Sequence, residues 1–424
     1  MYTQLISIMK INIKYFLAAT LPGILLITLG CEKNNPDDQP GDPVDIFTEV
    51  YQKEVIDSAN RFAFDLFRPI ITESKGSENI MISPFSITSA LSMTLNGAAG
   101  ETCEAMKKTL RLENKTLREI NETYLKLMTE MVPVDERVIL EIANSVWIEK
   151  KFPVKQTFKS ALREYYMAEA REIDINNPDA VNIVNDWIAE KTHDKITEML
   201  DGLDPALTML LVNAIYFNGK WRYRFDENDT GDEPFYITPA SPKDVPMMHQ
   251  KENLDVTSID NATLVELPYG QGNYSMVLLL PDENITTADL VDILTAELWL
   301  EWMDRLNGNT HEVDLSLPRF KYKYKRILNS DLYNMGMGIA FTDQADFSNI
   351  SDVPSWINRV IHESFIETNE EGTEAAAVTV VEFINTSVPE TITVNVNRPF
   401  LYFIREISTG TILFMGRVSD PTVN

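Results

Sequence analysis

Apolar residues recur at helical spacing from Val55 through Ala59, Phe62, Ala63, Leu66 and Phe67, which predicts an amphipathic helix opening the folded part of the chain. A second helix is predicted from Ser83-Pro84, where serine can cap and proline suits the first helical position. It continues through Ile87, Ala90, Leu91, Thr94 and Leu95 to Gly97. Helical pieces follow around Ile120 to Met131 and Val181 to Thr192, with a strand-like run at Val138 to Ile148 between them. Beyond Leu200 the pattern turns to strands. Met209 to Val212 leads into Ala214 to Phe217, and Ser275 to Leu280 is another near-continuous apolar run; both read as buried central strands. Phe400 to Ile404, Ser408-Thr409-Gly410 and Ile412 to Met415 have the order of a hairpin. No internal repeat and no second linker interrupt Asp45 to Pro421, so one large α+β domain with mostly antiparallel strands is predicted.

The N-terminus reads differently. Lys10 and Lys14 precede an apolar run from Tyr15 to Gly30, short for a membrane span and matched to the hydrophobic segment of an export signal. Its end, Thr28-Leu29-Gly30-Cys31, resembles a bacterial lipoprotein cleavage site in which the cysteine becomes the acylated N-terminus, although Thr28 stands where Leu is usual. The alternative is an ordinary signal peptide with a chance cysteine. Glu32 to Pro43 is Pro, Gly and acid with almost nothing to bury, a flexible tether. The expected organisation is therefore a signal over 1–30, a tether over 31–45 behind a lipidated Cys31, and a domain over 46–424. The product is either membrane-anchored at the periplasmic or outer surface, or secreted if Cys31 carries no lipid.

Composition narrows the function. The chain of 424 residues is 44% hydrophobic, and 64 Asp and Glu against 37 Lys and Arg give a formal charge of -27. Such a surface repels polyanions, which argues against nucleic-acid or heparin-like partners. Only Cys31 and Cys103 are present, so no disulfide framework exists, and Cys103 between Thr102 and Glu104 reads as a buried or idle thiol. His311-Glu312 and His362-Glu363 begin like zinc-protease motifs, but Leu315 and Ile366 hold the place of the second histidine. Gly270-Gln271-Gly272 and Gly336-Met337-Gly338 lack the third glycine of a dinucleotide loop and read as turns. No cofactor or metal is expected. Four histidines leave a spatial Ser-His-Asp arrangement open, with nothing to select a nucleophile.

From Glu370 to Pro389 the chain starts acidic, passes through three alanines and becomes β-branched at Val378 to Val381. Taken as a strand, its odd positions Thr373, Ala375, Ala377, Thr379 and Val381 are small or apolar, while Glu374 and Glu382 fall on even positions. One face is suited to burial, either in a permanent strand or Ala-rich helix of the core or in a strand that slides later into an open sheet.

Several long motifs bear on that choice. Asn79-Ile80-Met81-Ile82-Ser83-Pro84-Phe85-Ser86-Ile87, Asn96-Gly97-Ala98-Ala99-Gly100, Leu211 to Trp221, Val245-Pro246-Met247-Met248, Glu266-Leu267-Pro268-Tyr269, Leu317-Pro318-Arg319-Phe320, Arg398-Pro399-Phe400 and the run Glu371-Gly372-Thr373-Glu374-Ala375-Ala376-Ala377 all resemble serpin motifs. The resemblance extends from about Ile46 to Pro421. It implies three β-sheets with eight or nine helices and an exposed reactive loop. In that family a target protease cleaves the loop, which then inserts into the largest sheet while the acyl-enzyme persists, and the resemblance implies the same course here.

Carried over by position, the resemblance makes Glu371, Gly372, Thr373, Glu374, Ala375, Ala376, Ala377, Val378 and Thr379 the loop's hinge. Ser83, Ser86, Asn213 and His362 match the polar cluster where the main sheet parts, and Trp221 the residue where the loop enters. The spacing usual in inhibitory members puts the cleaved bond at Thr386-Ser387, within a residue or two. Threonine there suits a protease with a small, apolar-lined pocket, whereas Phe383 or Asn385 would redirect it to chymotrypsin-like or asparagine-cleaving enzymes. The expected function is inhibition of a serine endopeptidase by a chain that is itself no enzyme and is monomeric before complex formation. The alternatives are a non-inhibitory binding or carrier protein of the same fold, an inhibitor of a cysteine protease, or a hydrolase with an unrecognised site.

Overall fold

A computed structural model describes residues 41–74, 76, 78–373 and 391–423. The described helices are α1 (Val50–Glu73), α2 (Pro84–Leu95), α3 (Gly100–Thr109), α4 (Leu117–Lys126), α5 (Gln156–Tyr166), α6 (Ala180–Lys191), α7 (Thr287–Ile293), α8 (Ala296–Leu306) and α9 (Asn329–Leu332). The strands are β1 (Ile80–Ile82), β2 (Val138–Glu149), β3 (Glu169–Ile173), β4 (Met209–Lys220), β5 (Gly231–Thr238), β6 (Ser241–Ile259), β7 (Ala262–Tyr269), β8 (Tyr274–Pro281), β9 (Thr310–Pro318), β10 (Phe320–Ile327), β11 (Ile361–Asn369), β12 (Gly372–Thr373), β13 (Ile392–Asn395), β14 (Phe400–Glu406) and β15 (Ile412–Val418). Among the described residues no helix is long and apolar enough to cross a membrane.

The predicted amphipathic helix is α1, which buries Val55, Phe62, Ala63, Leu66 and Phe67. Its start is fixed by the Glu49 backbone N–H, which donates to Gln52 Oε1 at 2.9 Å. Helix α2 begins at the Ser-Pro pair as expected, with Pro84 in its first turn and the Ser83 hydroxyl accepting from the Ser86 N–H. Gly336 departs from the sequence reading. Rather than a turn, it forms a kink at φ 111 inside the helical segment Tyr333–Met337, a dihedral that glycine adopts without steric cost.

Hydrogen bonding arranges the strands in two ladders. One has the order β1-β15-β14-β8-β7-β6-β9-β13 with β5 also on β6; the other runs β10-β11-β12-β4-β2-β3. The three sheets expected from the resemblance are met as two ladders because β6, 19 residues long, serves two of them. It pairs with β5 up to Met247, with β9 from Met247 to Asp255, and with β7 from Asp255 onward. The main core lies between the ladders and includes Phe62, Phe67, Leu140, Phe217, Leu278, Phe403 and Met415. A second apolar cluster joins α6, through Val184, Trp187 and Ile188, to the opposite face of the six-stranded sheet at Trp147, Val212 and Ala214. That sheet is thus covered on both faces. Its central pair is exceptional, because β4 and β11 share no ladder among the described residues, and only the two-residue β12 stands between them.

Candidate functional site

At one end of the split, β11 turns through Glu370-Glu371 into β12, whose residues pair on both sides. Thr373 lies opposite Thr368 on β11 and Gly219 on β4, and Gly372 lies opposite Asn369 and Lys220. Gly372 has φ 149, and a Cβ there would stand 2.1 Å from the Gly219 carbonyl oxygen, so only glycine fits. Trp221 seals this end. Its backbone N–H donates to the Glu371 carbonyl at 2.8 Å, its indole N–H to the Asn369 carbonyl at 2.9 Å, and its ring stacks on Tyr269 at 4.4 Å and 10°. Tyr269 in turn holds the Thr373 hydroxyl at 2.8 Å. Glu370 anchors the turn from outside, accepting from Arg319 Nε at 2.7 Å and from Thr230 Oγ1 at 2.5 Å. A buried carboxylate is tolerable only with such charged and hydroxyl donors.

Further along the split, Ser83, Ser86, Asn213 and His362 come together. His362 Nε2 accepts the Ser83 backbone N–H at 3.1 Å, the Ser83 hydroxyl donates to the Leu413 carbonyl at 2.7 Å, and the Ser86 hydroxyl donates to Asn213 Oδ1. Asn213 passes the chain on, donating to Asn144 Oδ1 at 2.6 Å, and Asn144 donates to the Tyr166 carbonyl at 2.8 Å. The cluster therefore ties α2, β2, β4 and β11 across the split. Burial alone pushes the His362 imidazole down to a pKa of about 4, so at neutral pH it is an uncharged acceptor. Beneath the cluster lies a cavity of about 120 Å³ lined by Ile87, Ala90, Leu211, Phe347, Ile350 and Val360, among others.

Four of the sequence-predicted residues thus converge, and Trp221, Glu371, Gly372 and Thr373 form a separate group at the end that β12 bridges. Glu374 to Thr379, Thr386, Ser387 and Cys31 lie outside the described residues. Sequence reasoning missed Asn144, Tyr269, Glu370 and Arg319. Asn144 had a signal, since it follows Val138, Leu140 and Ile142 on the inward parity of its strand, where a polar residue calls for a partner. Cys103 is half-buried and burial raises its thiol pKa, in keeping with the idle reading. A spatial trio of serine, histidine and acid also occurs. Ser316 Oγ lies 3.1 Å from His249 Nδ1, and Glu233 Oε1 lies 2.8 Å from His249 Nε2. His249 and Ser316 are direct partners on the β6–β9 pair, and cross-strand pairing accounts for the contact.

The site is thus a six-stranded sheet whose central strands β4 and β11 share no ladder among the described residues, with the two-residue β12 seated between them. Residues 57–421 match the family model described as Serpin (serine protease inhibitor), and the chain belongs to that family. It is 37% identical over 383 residues to the human leukocyte elastase inhibitor, covering 87% of this chain and 100% of that one. A serpin-like protein of Thermococcus kodakarensis is 33% identical, covering 90% and 89%. Among solved structures, the thermophilic serpin tengpin in its native state matches with a TM-score of 0.77 and 32% identity, covering 91% of this chain and 98% of that one. Human thyroxine-binding globulin with bound ligand matches with a TM-score of 0.80 and 28% identity, covering 88% and 100%.

Proposed function

We propose that this chain inhibits a serine endopeptidase as a suicide substrate, with Thr386-Ser387 as the bait bond and the segment beyond Thr373 as the strand that fills the split. The observation that carries this reading is the register of β12. In an antiparallel ladder each advance of two along the loop retreats two along β4 and β11. From Thr373 opposite Gly219 and Thr368, Ala375 would fall between Phe217 and Ile366, Ala377 between Ile215 and Ser364, and Thr379 between Asn213 and His362. On β11 these partners are the buried parity. The small odd positions would thus enter the core, and Thr379 would bring a hydroxyl to the polar cluster. Val381 would follow toward the apolar cavity.

The chemistry is ordinary acyl transfer until the sheet intervenes. The protease's base takes the serine hydroxyl proton as the serine oxygen attacks the Thr386 carbonyl carbon, the carbon–nitrogen bond to Ser387 breaks, and the protonated base returns that proton to the leaving nitrogen. Water would then cleave the ester. Insertion of the freed strand ahead of that step carries the tethered protease away and preserves the covalent link.

Incubation with elastase-type proteases is expected to give a complex that survives denaturing electrophoresis; turnover of every such protease without a complex would overturn the reading. The likeness to thyroxine-binding globulin keeps a carrier role as the second reading, but the uncharged odd face from Thr373 to Val381 favours insertion. We also propose export and lipid attachment at Cys31, supported by the sequence around that residue. Mass spectrometry of the mature N-terminus tests it, an unacylated cleaved end or an uncleaved one counting against it.

A further inference from the structure

The outer face of the split is bridged by the segment 192–204, which leaves the end of α6. Thr192 shapes its start: the hydroxyl donates to the Ile188 carbonyl at 2.8 Å and accepts the Ile196 N–H at 3.1 Å. His193 and Asp194 then take left-handed dihedrals, φ 48 and 60, which turn the chain across the sheet at a local steric cost. On the β4 side, His193 Nε2 lies 3.1 Å from Glu141 Oε2 on β2, and its ring centroid 4.4 Å from that of Tyr216 on β4. On the β11 side, the Lys195 ammonium stands 5.2 Å over the Phe365 ring, and Lys325 of β10 donates to the Glu198 carbonyl at 3.1 Å. Immediately before β11, Arg359 donates to Asp201 Oδ1 at 2.9 Å and to the Gly202 carbonyl at 2.8 Å, and Asn358 Nδ2 donates to Asp204 Oδ2 at 3.2 Å. Underneath, Ile196, Met199 and Leu200 belong to the cluster that includes Val212 and Ala214 of β4 and touches Ile361 and Phe365 of β11.

The segment is therefore a strap fastened to both halves of a sheet that must part by about one strand spacing, ~4.8 Å, to admit a full strand. Both sets of fastenings cannot survive that movement. Helix α6 is packed on β2 and β4 through Val184, Trp187 and Ile188, and Asn185 grips Leu200 with two hydrogen bonds of 2.8 and 2.9 Å. The strap consequently moves with the β4 half, and the links to β10 and β11 are the ones that give. Among these, Arg359 makes two hydrogen bonds with one charge-assisted partner, and that guanidinium holds the Asp201 carboxyl below its usual range.

We propose that Arg359 is a positioning residue for the insertion step: it holds the 192–204 strap across the split, and its release sets how fast the sheet admits a strand. The proposal rests on the insertion reading above. It is tested on the full chain by cutting the loop with a broad-specificity metalloprotease, which forms no acyl-enzyme and so is not trapped. The gain in thermal stability is then followed against time after cutting. Arg359→Gln is expected to gain it about two- to fivefold faster than the unaltered chain. Added salt should speed the unaltered chain and leave the variant unchanged, since the released pair is exposed to screening. Exchanging the charges, Arg359→Asp with Asp201→Arg, should restore the slower rate. A purely structural Arg359 would instead lower the melting temperature of intact and cut forms alike at an unchanged insertion rate, and that result would overturn the proposal. If the cut, unaltered chain gains no stability at all, the insertion reading itself fails and this one falls with it; insertion at equal rates in both chains sinks this one alone.

Discussion

His362 is uncharged because burial makes its protonation expensive, and its Nε2 lone pair is occupied by the Ser83 N–H. This single residue gives the molecule an acid-sensitive seam. Its folded pKa of about 4 lies below the ordinary 6.5, so between those values the unfolded chain binds a proton that the folded one does not. The contribution is complete above pH 6.5 and is lost as pH falls through 4, amounting to about 3 kcal/mol in the limit. Protonation would also convert Nε2 from acceptor to donor and sever the link to α2. Chemical unfolding measured across that window should show a steep loss of stability that His362→Gln, which does not titrate, largely flattens. An identical pH slope in the variant would assign the seam to other groups.

At the scale of elements, β12 depends on two glycines meeting across the ladder region, Gly372 at φ 149 and Gly219 opposite Thr373, where Phe217 and Tyr269 crowd any side chain. Gly372→Ala forces a methyl against the Gly219 carbonyl, at a cost of about 1–3 kcal/mol for the dihedral alone. The first rung should be expelled, and covalent complex should give way to plain cleavage of the loop, read as more inhibitor consumed per protease inactivated. An unchanged ratio would show that β12 is no nucleus for insertion. Much of this architecture was legible in sequence. The Ser83-Pro84 start of α2 carries its own capping chemistry. The extent of β6 was not legible, because Pro242, Pro246 and scattered charges break the alternation that marks a strand, and its pairing with three partners is decided by distant chain. The grouping of Ser83, Ser86, Asn213 and His362 came from family resemblance. Local pattern cannot report it, since Ser83 and His362 are 279 residues apart.

At the scale of the whole molecule, the split sheet and the charge act together. Among the described residues β4 and β11 share no common ladder, and on the insertion reading proposed above a better-paired arrangement is available, so the uncut form would persist by the height of a barrier rather than by the depth of its well. On that reading the inhibitor would act once, and its efficacy would turn on how often it meets the right protease while still unspent. Here the formal charge of -27 enters, because the field of so acidic a body steers cationic partners toward it and slows anionic ones. Against two elastase-type proteases of comparable active-site specificity, one basic and one acidic, the second-order inhibition constant should differ in its response to salt. With the basic enzyme it should fall by roughly tenfold or more from low to physiological ionic strength, and with the acidic one it should rise or stay level. The ester-forming step is common to both, so opposite salt slopes would locate the discrimination in encounter. Parallel slopes would mean that the acidity governs solubility alone and that the bait residues carry all of the selectivity.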